Sequence, residues 1–221
     1  MNPILETCAD FISTQMGEQG PLEFVWDEWD VVNYIEPIDE EEIARLDRLA
    51  EPARLTLALA NLFWIRQRLK PHGLNPLADA FLEMSSASAM YDVPFQYVAL
   101  NPDEWRGPMN GPFAVACDAV NDAIHDQDFF DEMSYIVFNS LQMARRAMSD
   151  TDPFEAWYNR VRDLLAEKYP AADYTVENIP LPPSLSEVAI MEDGQPAATF
   201  SFSDQQAALS EDNALFSYFD D

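Results

Sequence analysis

Positive charge is what this chain most lacks. Twelve lysines and arginines stand against forty aspartates and glutamates in 221 residues, a formal net charge of −28, and only Lys70 and Lys168 are lysine. Such a charge repels nucleic acid and anionic membranes and attracts strongly basic partners. Glycine is also scarce. There are six, and no G-x-S-x-G, P-loop or G-x-G-x-x-G string occurs, so the usual phosphate cradles and nucleophile elbows are missing. Two histidines and two cysteines argue against a zinc site of the usual four-ligand type. Cys8 and Cys117 each lie among apolar positions of a helical pattern and read as buried free thiols rather than a disulfide. The longest weakly charged stretch, residues 55–65, is too short to span a bilayer. Residues 1–16 have no basic cluster and carry Glu6 and Asp10, which is unlike a secretory signal. The chain therefore reads as soluble and cytoplasmic, with no cofactor expected.

Apolar residues are plentiful. They make up 48% of the chain, with fourteen Phe, eight Tyr and five Trp, whereas a disordered acidic protein would be poor in them. The chain should fold around a sizeable core despite its self-repulsion.

The charge is unevenly spread. Residues 1–44 hold twelve acids and no base, 71–144 hold eleven acids against Arg106 alone, and 169–221 hold ten acids and no base. Nearly all the positive charge falls in 45–70 and 145–168. Those two segments should form internal ion pairs, leaving the other three to make an acidic surface.

Hydrophobic spacing gives the organisation. Residues 3–16 read as a helix stopped by Gly17 and Gly20. Residues 22–35 are ambiguous between helix and strand and lean towards strand. Asp39 with Glu42 forms a capping box, and Pro52 kinks or restarts the helix, which then runs over 53–69. That helix is apolar nearly all round and should be the buried centre, with Leu55, Leu59, Leu62, Phe63 and Trp64 in the core. Asn75 caps the next helix. Val93, Phe95, Tyr97 and Ala99 alternate as a short edge strand, and residues 107–112 read as a Gly/Pro loop ahead of another helix. A helix spans about 128–148, and Asp152-Pro153-Phe154-Glu155 opens a further one through a second capping box. The expected fold is mostly α with a small β appendage (α+β). The mainly helical domain covers 1–179. Residues 180–221 supply a Pro-rich linker, a β-hairpin near 187–202 and an acidic-aromatic tail, packed on the same core.

Several constellations carry candidate chemistry. Asp118, Asp122 and His125 share one helical face, with Asp126 and Asp128 beyond, and Asp-x-x-His spacing can clamp a divalent ion. A solvated acidic face opposite Phe113, Val120 and Ile124 explains the same residues, and no metal is expected. His72, then His125-Asp126, then Asp150 or Asp163, resembles the ligand order of HD-domain phosphohydrolases. Gln127-Asp128 follow where that family places apolar residues and a glycine, so no role is carried over. Ser85, Ser86 and Ser88 read as small residues for close helix packing. Trp26 and Trp29 alternate with acids and suit either a core face or anchors for a basic partner.

Three readings of function follow. The leading one is a binding or inhibitor protein, not an enzyme, whose carboxylates stand in for phosphates on the basic surface of a protein partner. That partner could be a nucleic-acid-binding enzyme or toxin, as for immunity, nuclease-inhibitor or anti-restriction proteins with DNA-mimic surfaces. The expected contact residues are Asp27, Glu28, Asp30, Glu36, Asp39, Glu40 and Glu41, with Asp118, Asp122, Asp126, Asp128 and Asp131. Nucleic acid and membrane are not expected as direct partners. Salt adaptation is the second reading, from the near absence of lysine and the excess of aspartate. A carboxylate or metal-site hydrolase around Asp118, Asp122 and His125 is the third.

Overall fold

The computed structural model describes residues 3–22, 37–91, 97–98, 100–101, 103–125, 132–173, 191–192 and 195–196. Among them the chain is helical. The α-helices are α1 (Pro3–Met16), α2 (Glu40–Leu46), α3 (Glu51–Leu69), α4 (Leu77–Tyr91), α5 (Gly107–His125), α6 (Met133–Ala147) and α7 (Asp152–Lys168). No helix among these residues is long and apolar enough to cross a membrane.

Helix α3 is the centre. It touches α1, α4, α5, α6 and α7, and Leu59, Leu62, Phe63 and Trp64 on it are essentially inaccessible to solvent. Leu55 is buried at the same helix's start. Its apolar faces are satisfied on every side because each has a neighbouring helix to meet. Trp64 packs edge-on against Phe154 at 5.3 Å and tilted against Trp157 at 5.3 Å, which seats α7 on α3. Left-handed Gly73, at φ +98, ends the short 3₁₀ turn that follows α3.

Scarce cations tie this bundle together from inside. Arg66 donates to Asp79 at 2.7 Å and Lys70 reaches the same carboxylate at 3.0 Å, joining α3 to α4. Burial works to raise the Asp79 carboxyl, but bonds and charge from Arg66 and Lys70 hold it below the ordinary aspartate value. At the other end of α3, Arg54 donates to Ser134 Oγ at 3.0 Å, and that hydroxyl donates to Asp47 at 2.6 Å. Buried Arg68 uses carbonyls: Nε donates to Ala147 O at 3.2 Å and Nη2 to Gly20 O at 2.7 Å. Gln19 receives Ser149 N–H at 3.0 Å and Asp150 N–H at 3.1 Å, so the chain after α1 is fastened to the α6–α7 turn. Arg145 pairs with Glu155 at 2.5 Å across that turn.

Several expectations are corrected. Asp39 does cap α2, accepting Glu41 N–H and Glu42 N–H at 3.0 and 3.1 Å, but Glu42 does not close the box. It turns inward, 5% exposed, and accepts from Tyr158 Oη at 2.9 Å and Arg162 at 2.8 and 3.0 Å. Thr151, not Asp152, is the N-cap of α7, and Glu155 is drawn to Arg145 instead of its own helix start. Residues 107–112 are not a loop. Gly107 opens α5 directly, and Pro112 sits inside it, where its missing N–H leaves one helical bond unmade.

Tyr97 and Val98 are not in a strand. Both backbone groups of Val98 are taken by the buried Asn121 side chain, at 3.3 and 3.2 Å, so no ladder partner is needed there. Met191–Glu192 and Gln195–Pro196 pair antiparallel over two residues a side, which does not establish a hairpin over 187–202. The rest of that hairpin, the 179/180 boundary, the tail, residues 22–35 beyond Leu22, and Val93 to Phe95 lie outside the described residues.

Two substitutions test this architecture. Leu62→Ala should cost about 2–5 kcal/mol in a denaturant titration, with the slope unchanged. Glu42→Leu strands a buried guanidinium and should cost about 3–5 kcal/mol, whereas Glu42→Leu with Arg162→Met should recover most of the loss.

Candidate functional site

Helix α5 presents the acidic face that its sequence spacing predicts. Asp118 and Asp122 are one turn apart and partly buried, and His125 lies exposed at the helix end. Burial raises the Asp118 carboxyl above its ordinary value, and the charge of Asp122 adds to the rise. Asp122 accepts a bond from Tyr97 Oη at 2.8 Å, and the Tyr97 ring stands edge-on to His125 with centroids 5.4 Å apart. The hydrogen bond to Asp122, then burial, then the charges of Asp122 and Asp118 push the Tyr97 phenol up to about 12. Tyr97 remains 50% exposed, so this aromatic ring sits in the open beside two carboxylates. Buried Asn121 places it, because its grip on Val98 pins the chain against α5.

The second acidic group is the start of α2. Asp39, Glu40 and Glu41 are all exposed there, and Glu41 meets Arg45 at 3.5 Å on the surface. α2 packs on α6, as does α5, and among the described residues no hydrogen bond or ion pair joins the two acidic groups. Asp27, Glu28, Asp30 and Glu36 from the first group, and Asp126, Asp128 and Asp131 from the second, lie outside the described residues.

Among the described residues no group of three or more His, Cys, Asp or Glu is arranged to hold a metal ion. His125 Nδ1 lies 2.9 Å from Asn121 O on its own helix. The residues of the HD-like order have other engagements. His72 lies in the turn after α3 beside Arg68, Asp150 accepts Asp152 N–H, and Asp163 pairs with Arg162 at 2.9 Å. Cys8 and Cys117 are free and buried, and burial pushes the Cys8 thiol up to about 12 and Cys117 well above its usual value, so neither is poised as a nucleophile. Ser85 and Ser86 are buried on α4, and Ser86 Oγ donates to Leu82 O at 2.5 Å within that helix.

A separate opening does not involve the predicted acids. A cleft of about 750 Å³ lies between the end of α2 and the outer face of α7, lined by Arg45, Arg48, Asn159, Arg162, Asp163, Ala166 and Glu167. Its arginines belong to the two base-rich segments, which is the signal the sequence offered. What the sequence hid was that Leu49 bridges to Pro170, with Ala50 N donating to Tyr169 O at 2.9 Å, and so brings both segments to one wall.

Asp118→Asn tests the electrostatics of the α5 face. A carboxyl whose pKa rises on folding favours the fold below its unfolded value and loses that contribution as pH climbs through the folded value. The variant should therefore be more stable than the parent at pH 7, by about 0.2–0.5 kcal/mol for relief of a like-charge pair one turn apart. The gain should vanish in melts below pH 4. Compared with protein-family models, curated proteins and solved structures, the chain matches none.

Proposed function

We propose that this protein acts by occupying the basic surface of another protein, in the manner of an inhibitor whose carboxylates stand where nucleic-acid phosphates would. One observation supports the reading above others. The interior takes up the rare cations and spares the acids. Among the residues whose burial is described, the buried charged groups are Arg66, Arg68 and Arg162 against Glu42 and Glu83, three of twelve bases but two of twenty-one acids. Outside the core, these residues therefore present nineteen acids to nine bases, a more lopsided ratio than their own twenty-one to twelve. Carboxylates held on rigid helices offer arginine and lysine the same charge-assisted bonds as phosphate, and a one-signed field speeds encounter.

The contact surface in this reading is made by the acids at the start of α2 with Asp27, Glu28, Asp30 and Glu36 before it, and by Asp118 and Asp122 with Asp126, Asp128 and Asp131 after them. A nucleic-acid-binding enzyme or toxin is the partner class whose groove fits such a strip. Adaptation to high salt is the competing account, from the near absence of lysine, and it expects no particular acid to matter.

The partner is captured from native lysate, and its association is followed by surface plasmon resonance at low salt. Reversing Asp39, Glu40, Glu41, Asp118 and Asp122 to Lys should slow association by about tenfold or more and should restore the partner's hold on its own nucleic acid. Matched reversals within 203–221 should matter less. Association unchanged by both sets of reversals removes the mimic reading in favour of salt adaptation.

A further inference from the structure

The cleft between α2 and α7 inverts the charge of the whole protein. Three of only twelve cationic residues, Arg45, Arg48 and Arg162, line one opening of about 750 Å³, alongside Asn159, Asp163, Ala166 and Glu167. That volume suits a small molecule rather than a bare ion. The three guanidiniums are not equally free. Arg162 is 5% exposed and fixed, with Nη1 on both oxygens of Glu42 and Nε and Nη2 on Asp163. Those bonds use four of its five N–H groups, leaving one on Nη2. Arg45 is about half exposed and is held only by long contacts, 3.4 Å to Glu42 and 3.5 Å to Glu41. Arg48 is exposed, and its side chain has no partner among the described residues. Its backbone is nonetheless anchored, since its carbonyl accepts Ala171 N–H at 2.8 Å, so the unpaired guanidinium springs from a fixed point.

The geometry points to this cleft as a binding site for a small phosphorylated molecule, its phosphate on Arg45, Arg48 and the remaining N–H of Arg162. Planar guanidinium forks match phosphate oxygens in pairs, and a dianion draws more from several arginines lining one cleft than Arg45 draws from its two long carboxylate contacts. The organic part of the ligand would lie along α7. There Asn159 Oδ1, Asp163 and Glu167 are acceptors for hydroxyl groups, with Ala166 as an apolar floor. The charge of −28 does not forbid this. At 0.15 M ionic strength the screening length is about 8 Å, so the lining groups outweigh acids on the far side of the fold. The same net charge holds the protein away from anionic bilayers, which favours a soluble ligand over a lipid headgroup.

Inorganic phosphate and glucose 6-phosphate are titrated into the full chain at constant ionic strength, with chloride replacing the ligand, and binding is read by calorimetry and by the shift in melting temperature. Chloride matching is essential, because any salt relieves self-repulsion in so acidic a protein. Both probes should bind saturably, glucose 6-phosphate the tighter. Arg48→Gln should weaken each by about tenfold or more, as expected for losing a bond to a charged group, with no change in the unliganded melting temperature. Arg45→Gln, on the same rim, should act in the same direction. Shifts equal to those of matched chloride, or affinities unchanged in Arg48→Gln, overturn the site. Glucose 6-phosphate no tighter than inorganic phosphate overturns the place given to Asn159, Asp163 and Glu167.

Discussion

A helix that is apolar on every side can be the centre of a fold only if the polar groups at its ends find partners inside it too. Helix α3 meets that condition with arginine. Arg54 at its start, and Arg66 and Arg68 at its end, reach α6, α4 and the chain between α1 and α2, so each end of the buried helix is bolted to the elements that cover it. Long methylene stems let these residues pack as hydrophobes along most of their length while the guanidinium finds oxygen. Five N–H donors per residue let few cations serve many partners. In a chain with ten arginines this economy decides the architecture.

Arginine demand also explains why both predicted capping boxes fail at the glutamate. A reciprocal cap stabilises a helix start by about 0.5–2 kcal/mol. Leaving a buried guanidinium without its carboxylate costs about 3–5 kcal/mol. Glu42 goes where the stabilisation is greater, to the buried Arg162, Glu155 pairs with the partly buried Arg145, and the helix starts make do with Asp39 and with Asp150. The Glu42–Arg162–Tyr158 cluster then joins α2 to α7, across 120 residues of sequence. Burial, then the charge and hydrogen bond of Glu42, raises the Tyr158 phenol well above its ordinary value, which keeps it a donor to that carboxylate.

Burying three of the twelve cations tilts the outside of the described residues further towards acid, and two contrasting sites lie on it. On α5, Asp118 and Asp122 stand close enough for one to disturb the other's titration, with Tyr97 bonded to Asp122 from the loop before the helix. At the α2–α7 cleft the balance reverses locally, because Arg45 and Arg48 protrude where Arg162 has already taken the buried carboxylate. An acidic exterior and a small cationic hollow among the described residues are two consequences of the same shortage.

The sequence by itself determined the helical class, the positions of most helices, the burial of α3 and the segregation of charge, because these depend on spacing and composition within a few turns. Leu62, Phe63 and Trp64 are buried for the reason their pattern states: no face of that segment is polar enough to meet water. The same local logic misplaced residues 107–112, where two prolines and two glycines suggested a loop but proline near a helix start is tolerated, and it took Tyr97–Val98 for a strand. No local pattern could show that Asn121 would supply both of Val98's backbone partners from 23 residues away. Only the tertiary structure decided which carboxylate each arginine takes and which arginines are left over. Ion pairing depends on distances across the fold, and Arg45, Arg48 and Arg162 share a cleft because the end of α7 is hydrogen-bonded to the turn before α3 and Arg162 and Tyr158 to Glu42 of α2.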